Sequence, residues 1–298
     1  MVPRGGCAHR MSTAMKDRTV VVTGANSGIG KACATELLRQ GAHVVMTARD
    51  AVRGQQALED VKRASGNADV ELLLADFASL AEVRILANRI ASLPRLDVLV
   101  NNAGLMLTER RETRDGFETT FQVNHLAPFL LTAMLVPKLA KADGARVVTV
   151  ASDAHTSGGA LDFDDLQSTR RYTPFAVYGR SKLCNILFTR ELARRLEGSG
   201  VTANCLHPGV VATGFAGDGD ATGWFAWGIK LARPFMIGPE KGADTMVYLA
   251  TSPDVATITG RYFVKRREKT PGRHARDDAA ARRLWDESAR MTGAPAVG

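Results

Sequence analysis

Cysteine is scarce in this chain. There are four in 298 residues, Cys7, Cys33, Cys184 and Cys205, and no two are close in sequence. That excludes a disulfide-framed secreted scaffold and the paired-thiolate patterns that hold structural zinc; no metal site is expected. Cys33 and Cys184 fall in helical patterns and Cys205 in a strand pattern, so each is expected as a reduced, buried thiol. Long apolar runs are missing too: no uncharged stretch approaches the roughly 18 residues that a membrane-spanning helix needs. The basic amino end has no apolar core before Met15, so no secretory signal is expected. Together these absences predict a soluble protein of a reducing compartment, with a cytoplasmic location. No internal repeat or low-complexity linker divides the chain, so a single domain is expected.

An excess of charge of one sign is present, but not where it first appears to be. The formal net charge is +8. Residues 19–260 hold 25 basic and 25 acidic side chains, while residues 1–18 and 261–298 carry the whole excess. A neutral body with basic ends argues against nucleic acid as a partner. Residues 1–17 read as a flexible leader, 18–293 as one domain and 294–298 as a tail. Asp277 and Asp278 suit the start of a helix. Ala281, Leu284, Trp285 and Ser288 then follow on one face, which predicts a closing helix over 277–291. Residues 265–276 read as loose basic surface.

What fills the body is an alternation of short apolar runs and helical patterns. Strands are expected at Thr19–Thr23, His43–Thr47, Val70–Ala75, Asp97–Val100, Arg146–Ala151, Val201–Leu206 and Arg261–Val264. Helices are expected near 28–40, 51–65, 79–91, 115–141 and 176–198. Most of the strands are continuously apolar, as suits burial on both faces. The pattern predicts an α/β domain: a doubly wound, Rossmann-type parallel sheet of about seven strands with helices on both faces. A closed eight-fold barrel would place its phosphate site late in the chain, whereas the glycine-rich loop here follows the first strand.

That loop, Thr23-Gly24-Ala25-Asn26-Ser27-Gly28-Ile29-Gly30, leads straight into a helix. Glycines there let the backbone approach a pyrophosphate seated on the helix amino end. At the end of the second strand, Thr47-Ala48-Arg49-Asp50 puts an arginine where a ribose 2′-phosphate would be accommodated. NADP(H) is therefore the expected cofactor, with NAD(H) the other choice, because Asp50 could instead receive a 2′-hydroxyl. Asp50 also reads as a helix N-cap.

Tyr178 and Lys182, four apart in a helical stretch, share a face. A tyrosine near pKa 10 is a poor base, so a nearby ammonium would favour its phenolate. Ser152 ends a strand, Asn101-Asn102-Ala103-Gly104 ends another and Pro208-Gly209 a third, all at the carboxyl edge where such sheets bind ligands.

With these motifs the sequence resembles the short-chain dehydrogenase/reductases: TGANSGIG, Asp76 after the third strand, NNAG, Asn124 in QVNHLAPF, Ser152, YGRSK and HPGVVAT. ANSGIGKA, TARD, VNHLAPFLLT, SKLCNILFTRELARRL and the closing RRLWDESARMTG are similar to its retinol dehydrogenase-like branch. The resemblance implies that Tyr178 is the general acid/base, that Lys182 binds the nicotinamide ribose and lowers the tyrosine pKa, and that Ser152 holds the substrate oxygen. Asn124 would hold a water linking Lys182 to solvent. Cofactor contacts would come from Gly24, Ser27, Gly28, Ile29, Gly30, Arg49, Asp76, Phe77, Asn102, Ala103, Gly104, Pro208, Gly209 and Thr213.

In that family the segment 221–237 lies over the substrate. Here it carries Trp224, Phe225, Trp227 and Met236, which implies a lid for a lipophilic carbonyl or alcohol. Its apolar face with basic flanks leaves peripheral membrane contact open. The helices over 115–141 and 176–198 are the family's usual faces for a homodimer or homotetramer. His125, His155 and His207 are expected as ordinary core or surface histidines. A competing reading is a non-catalytic dinucleotide-binding redox sensor acting through the run Lys265-Arg266-Arg267-Glu268-Lys269.

Overall fold

The computed structural model describes residues 15–209 and 237–297. Strands β1 (Thr19–Val22), β2 (His43–Ala48), β3 (Val70–Leu74), β4 (Val98–Asn101), β5 (Arg146–Val150), β6 (Thr202–His207), β7 (Tyr262–Val264) and β8 (Arg267–Glu268) form one sheet. Its order is β3-β2-β1-β4-β5-β6-β7-β8, and every pairing is parallel except β7 with β8. The principal helices are α1 (Gly28–Arg39), α2 (Ala51–Ser65), α3 (Leu80–Ala91), α4 (Ala127–Leu139), α5 (Pro174–Arg195), α6 (Pro239–Thr251) and α7 (Asp278–Thr292).

Alternation along β1 explains the layers. Val20 and Val22 face a core with Leu37 and Leu38 of α1, Val61 of α2 and Met246 of α6. Val21 faces the opposite core with Leu86 and Ile90 of α3, Leu130 and Leu131 of α4, and Phe188 of α5. Successive residues of a strand point to opposite faces, so a run such as TVVV is usable only between two helical layers.

The strands expected from sequence are found within about a residue of their places, and the doubly wound architecture is present. Among the described residues the sheet has eight strands rather than about seven. β8 was not foreseen because its two residues, Arg267 and Glu268, are exposed and carry no apolar signal. It forms because Lys265 and Arg266 turn the chain with φ of 50° and 61°, which folds β8 antiparallel onto β7. Two consecutive positive φ values are the mark of a tight hairpin turn. The run read as loose basic surface is thus tied down: Arg266 donates through Nε to Asp244 (2.7 Å), Arg261 pairs with Glu268 (3.6 Å) and Lys269 with Asp153 (3.8 Å).

The chain ends also differ from expectation. Met15 is buried, and its N–H bonds Gln40 O, so the leader's last residues belong to the body. Val297 of the supposed tail is buried too. The closing helix α7 begins one residue later than predicted: Asp277 is its N-cap, accepting from Ala279 N and Ala280 N, and Gly293 ends it in the left-handed conformation. Trp285 wedges against Phe129 of α4 (centroids 4.8 Å apart) and Phe188 of α5 (5.9 Å). Part of the α4 and α5 surface expected to face another subunit is therefore covered by the chain's own α7.

Candidate active site

The order of the sheet reverses between β1 and β4, the switch point at whose carboxyl edge sheets of this kind bind ligands. Hydrogen bonds pin the glycine-rich loop there. Thr23 Oγ1 donates to Val100 O (3.2 Å) and accepts from the N–H groups of Asn102 (2.9 Å) and Ala103 (3.0 Å). Asn102 Nδ2 donates to Thr23 O (2.8 Å) and Gly24 O (3.1 Å). Thr47 at the end of β2 receives Gly24 N and Ala25 N. Gly24 has φ +63°, and a Cβ on Gly30 would lie 2.4 Å from Asn102 Nδ2 and 2.5 Å from Gly24 O, so only glycine fits at Gly30.

Helix α1 starts at this loop with neither a side-chain cap nor an acid in its first turn. By contrast, α2 is capped by Asp50 and α3 by Ser79. Free N–H groups at the positive end of a helix dipole, reached through glycines, suit a diphosphate. Arg49 is exposed at the end of β2, and Asp50 is engaged in accepting from Arg53 N (2.8 Å). The residues therefore fit a nicotinamide dinucleotide.

The catalytic candidates converge from three elements. Ser152 follows β5 and caps a short turn, Asp153–Thr156, its Oγ accepting from Ala154 N (3.2 Å). Tyr178 and Lys182 lie one turn apart on α5, Lys182 Nζ being 5.5 Å from the Tyr178 ring centroid. The Tyr178 phenol hydrogen-bonds the Ser152 side chain. Lys182 is buried and donates to Val150 O (3.2 Å), which also receives Asn185 Nδ2 (3.1 Å).

Asn124 lies in a π-helical turn, Gln122–Leu126, ahead of α4, a distortion that recurs at functional sites. Its carboxamide exchanges hydrogen bonds with Leu105 N (2.8 Å) and O (2.9 Å) and donates to Ser181 Oγ (2.9 Å). The Asn124 side chain is thus engaged with the backbone after β4 and with α5. A Cβ on Gly104 would stand 3.1 Å from Asn124 Oδ1 and 3.4 Å from Lys182 Nζ, so this glycine lets the β4 loop close onto the pair.

Burial sets the protonation behaviour. The Tyr178 phenol is pushed up to about 12 by desolvation, with the Ser152 hydrogen bond pulling it down. Lys182 is pushed down to about 8 by the same desolvation. The expected lowering of the phenol by Lys182 does not govern it: removing both groups from water favours both neutral forms.

Asp76 and Phe77 follow β3 closely; Asp76 Oδ1 receives Ala78 N (2.9 Å), and Phe77 O receives Gln122 Nε2 (3.3 Å). Ser27, Gly28 and Ile29 lie at the start of α1, with Gly28 at φ +54°. Pro208 and Gly209 leave β6 at the same edge, Gly209 with φ +95°. Thr213, Trp224, Phe225, Trp227 and Met236, and the 221–236 part of the expected lid, lie outside the described residues.

Two structural contributors were missed. Gly179 lies between the tyrosine and the lysine, and a Cβ there would meet Ala154 O at 2.5 Å, so its bareness lets α5 press against the Ser152 turn. A glycine inside a strong helical pattern was the available signal. The other is His155, whose ring bonds the Ser152 carbonyl (2.7 Å) and Gly272 N (2.9 Å); its second partner is far away in sequence.

Residues 18–222 match the short chain dehydrogenase family. The chain belongs to that family, an oxidoreductase class that works with nicotinamide dinucleotides. It is 41% identical to human (Homo sapiens) retinol dehydrogenase 13, over 99% of this chain and 91% of the relative. A solved structure of an uncharacterised protein from Mycobacterium paratuberculosis superposes with a TM-score of 0.75 at 35% identity, covering 95% of each chain. Another, from Beutenbergia cavernae, is described as a candidate NAD(P)-dependent gluconate 5-dehydrogenase with bound NADP at low occupancy. It aligns at a TM-score of 0.68 and 30% identity, covering 84% of this chain and 95% of that one.

Proposed function

We propose that this enzyme is an NADP(H)-dependent oxidoreductase that interconverts a lipophilic carbonyl compound and its alcohol. The observation that carries the reading is the hydrogen-bonded Ser152–Tyr178 pair with Lys182 one helical turn away, set beside the glycine loop. When bound, a reduced nicotinamide would supply the hydride for the carbonyl carbon. Ser152 holds the carbonyl oxygen, and the Tyr178 hydroxyl gives that oxygen its proton, leaving the alcohol. With its phenol pushed up to about 12 by burial, Tyr178 carries its proton at neutral pH and can donate it.

Gly24, Ser27, Gly28, Ile29 and Gly30 with the amino end of α1 would hold the diphosphate. Arg49 would hold the 2′-phosphate and Lys182 the nicotinamide ribose. The exposed Arg49 and the capping use of Asp50 support NADP over NAD. The retinol dehydrogenase relative and the apolar composition of 221–237 support a lipophilic substrate. Homo-oligomerisation belongs to the same proposal, its contact moved off the surface that α7 fills. Buried thiols at Cys33, Cys184 and Cys205 support a reducing, cytoplasmic setting.

The test is NADPH oxidation by purified enzyme against a panel of aldehydes and ketones, repeated with Tyr178→Phe. Loss of the positioned proton donor is expected to lower kcat by about 10²–10⁴-fold. Full activity of the variant on a substrate of the parent enzyme would reject the mechanism.

A further inference from the structure

Beneath Ser152 lies a group of titratable side chains outside the reaction just described: Asp153, His155, His207, Tyr262 and Lys269. We propose that His155 is a positioning residue of the reaction, a neutral imidazole that fastens the Ser152 turn to the backbone of Gly272 and so aims the Ser152 hydroxyl. This rests on the role given above to Ser152.

The tautomer follows from the partners. His155 Nδ1 is 2.7 Å from Ser152 O, a carbonyl that can only accept, so Nδ1 carries the hydrogen. Gly272 N–H donates to Nε2 at 2.9 Å, so Nε2 carries the lone pair. Both contacts are satisfied only by the neutral ring. A proton added at Nε2 would face another N–H and break the tie to Gly272.

The rest of the pocket is built around that ring. His155 is 4% exposed and meets the Tyr262 ring edge-on, centroids 5.4 Å apart. Tyr262 OH donates to Asp153 Oδ1 (2.6 Å), and Lys269 N–H donates to Tyr262 O (2.8 Å). A Cβ on residue 272 would approach His155 Nε2 to 3.2 Å and Thr156 Cγ2 to 3.1 Å, which glycine avoids.

The charged and titratable groups around the ring come from every neighbouring element. Asp153 is on its own turn, His207 at the end of β6, Tyr262 on β7, Lys269 just after β8, and Arg273, His274 and Arg276 on the turn that Gly272 opens; Tyr178 and Arg180 are on α5, which packs against the turn. Burial depresses His155 basicity more strongly than the Asp153 charge raises it, in keeping with the neutral form.

Ser152 has two tasks at one oxygen, accepting from Ala154 N and pairing with Tyr178. The direction of that oxygen depends on the backbone of its own residue, and the His155 bond holds the carbonyl of that residue. A misplacement of about 1 Å in a catalytic group can cost about 10²-fold in rate.

The experiment uses the full chain and a carbonyl substrate on which Tyr178→Phe has been shown to be inactive, which keeps a failure here distinct from a failure of the underlying mechanism. His155→Phe fills the space but ties nothing. It is expected to lower kcat roughly 10–100-fold with KM for NADPH within about twofold. His155→Asn, whose amide can replace the Nδ1–H donor, is expected to recover most of kcat. The parent kcat should fall as pH drops below the ordinary histidine range, and the Asn variant should lack that limb. Should either variant not fold, long-range ¹H–¹⁵N spectra of the parent enzyme at pH 7 provide the reading, with Nδ1–H and a bare Nε2 expected. An imidazolium or an Nε2–H tautomer overturns the proposal. So does a folded His155→Phe with kcat within twofold of the parent.

Discussion

The two sides of the active-site crevice are built by different means. On the cofactor side, main-chain groups and glycines dominate: Thr23, Asn102 and Thr47 clamp the loop by bonding backbone atoms of neighbouring strand ends, and Gly24, Gly30 and Gly104 leave room for close approach. On the catalytic side, side chains are braced by the last third of the chain. Gly272 holds His155, Tyr262 holds Asp153, and Ser288 Oγ bonds His125 Nε2 (2.8 Å) next to Asn124. A diphosphate needs an open, bare backbone and a dipole; a proton donor needs a fixed side chain. The first demand is met by residue types at short spacing, the second by long-range packing.

Changes made on each side should therefore fail differently. The largest effect is expected from Trp285→Ala, which empties the wedge between Phe129 and Phe188 and removes the Arg195 guanidinium's stacking partner, 4.5 Å from the indole ring. A loss of about 3–5 kcal/mol of folding stability is expected in denaturant titrations. A loss under about 1 kcal/mol would mean that α7 does not brace the catalytic helices. Gly30→Ala should act on the other side: the new methyl strikes Asn102 Nδ2 and Gly24 O, and strain of about 1–3 kcal/mol becomes a roughly 10–100-fold weaker NADPH affinity in fluorescence titration. Folding stability changing while NADPH affinity stays put would contradict this division between the two sides.

A smaller, more selective change is Arg49→Ala. Removing one charge-assisted contact should raise KM for NADPH about tenfold and leave KM for NADH unchanged. Equal effects on both cofactors would remove the assignment of Arg49 to the 2′-phosphate. The mildest perturbation near neutrality is pH itself. Lys182 is pushed down to about 8, so its ammonium is mostly present at pH 7 and disappears as pH rises through that value. NADPH affinity should fall across that range, and Lys182→Arg, whose guanidinium stays charged, should not show the decline. An identical pH profile in the variant would assign the titration to another group.

Much of the fold was readable beforehand. Runs such as TVVV and RVVTV mark strands buried on both faces, and TGANSGIG, NNAG and the Tyr178/Lys182 spacing mark the edge where they meet. What escaped reading has a common physical cause. β8 is two exposed charged residues that exist as a strand only because a tight turn lays them on β7. His155 reads as an ordinary histidine in the sequence because its partner, Gly272, is 117 positions away. Lys182 was expected to acidify Tyr178, yet desolvation, which depends on what surrounds a group, moves the phenol the other way.

The sequence by itself determined the layering, the dinucleotide-type loop and which side chains are candidates for catalysis. Each depends on local periodicity or on residue types at fixed short spacing. Only the tertiary structure decided which polar groups hold those side chains, how burial sets their protonation and what the carboxyl-terminal segment does. Desolvation and long-range hydrogen bonds are properties of neighbours in space, and chain order does not spell them out.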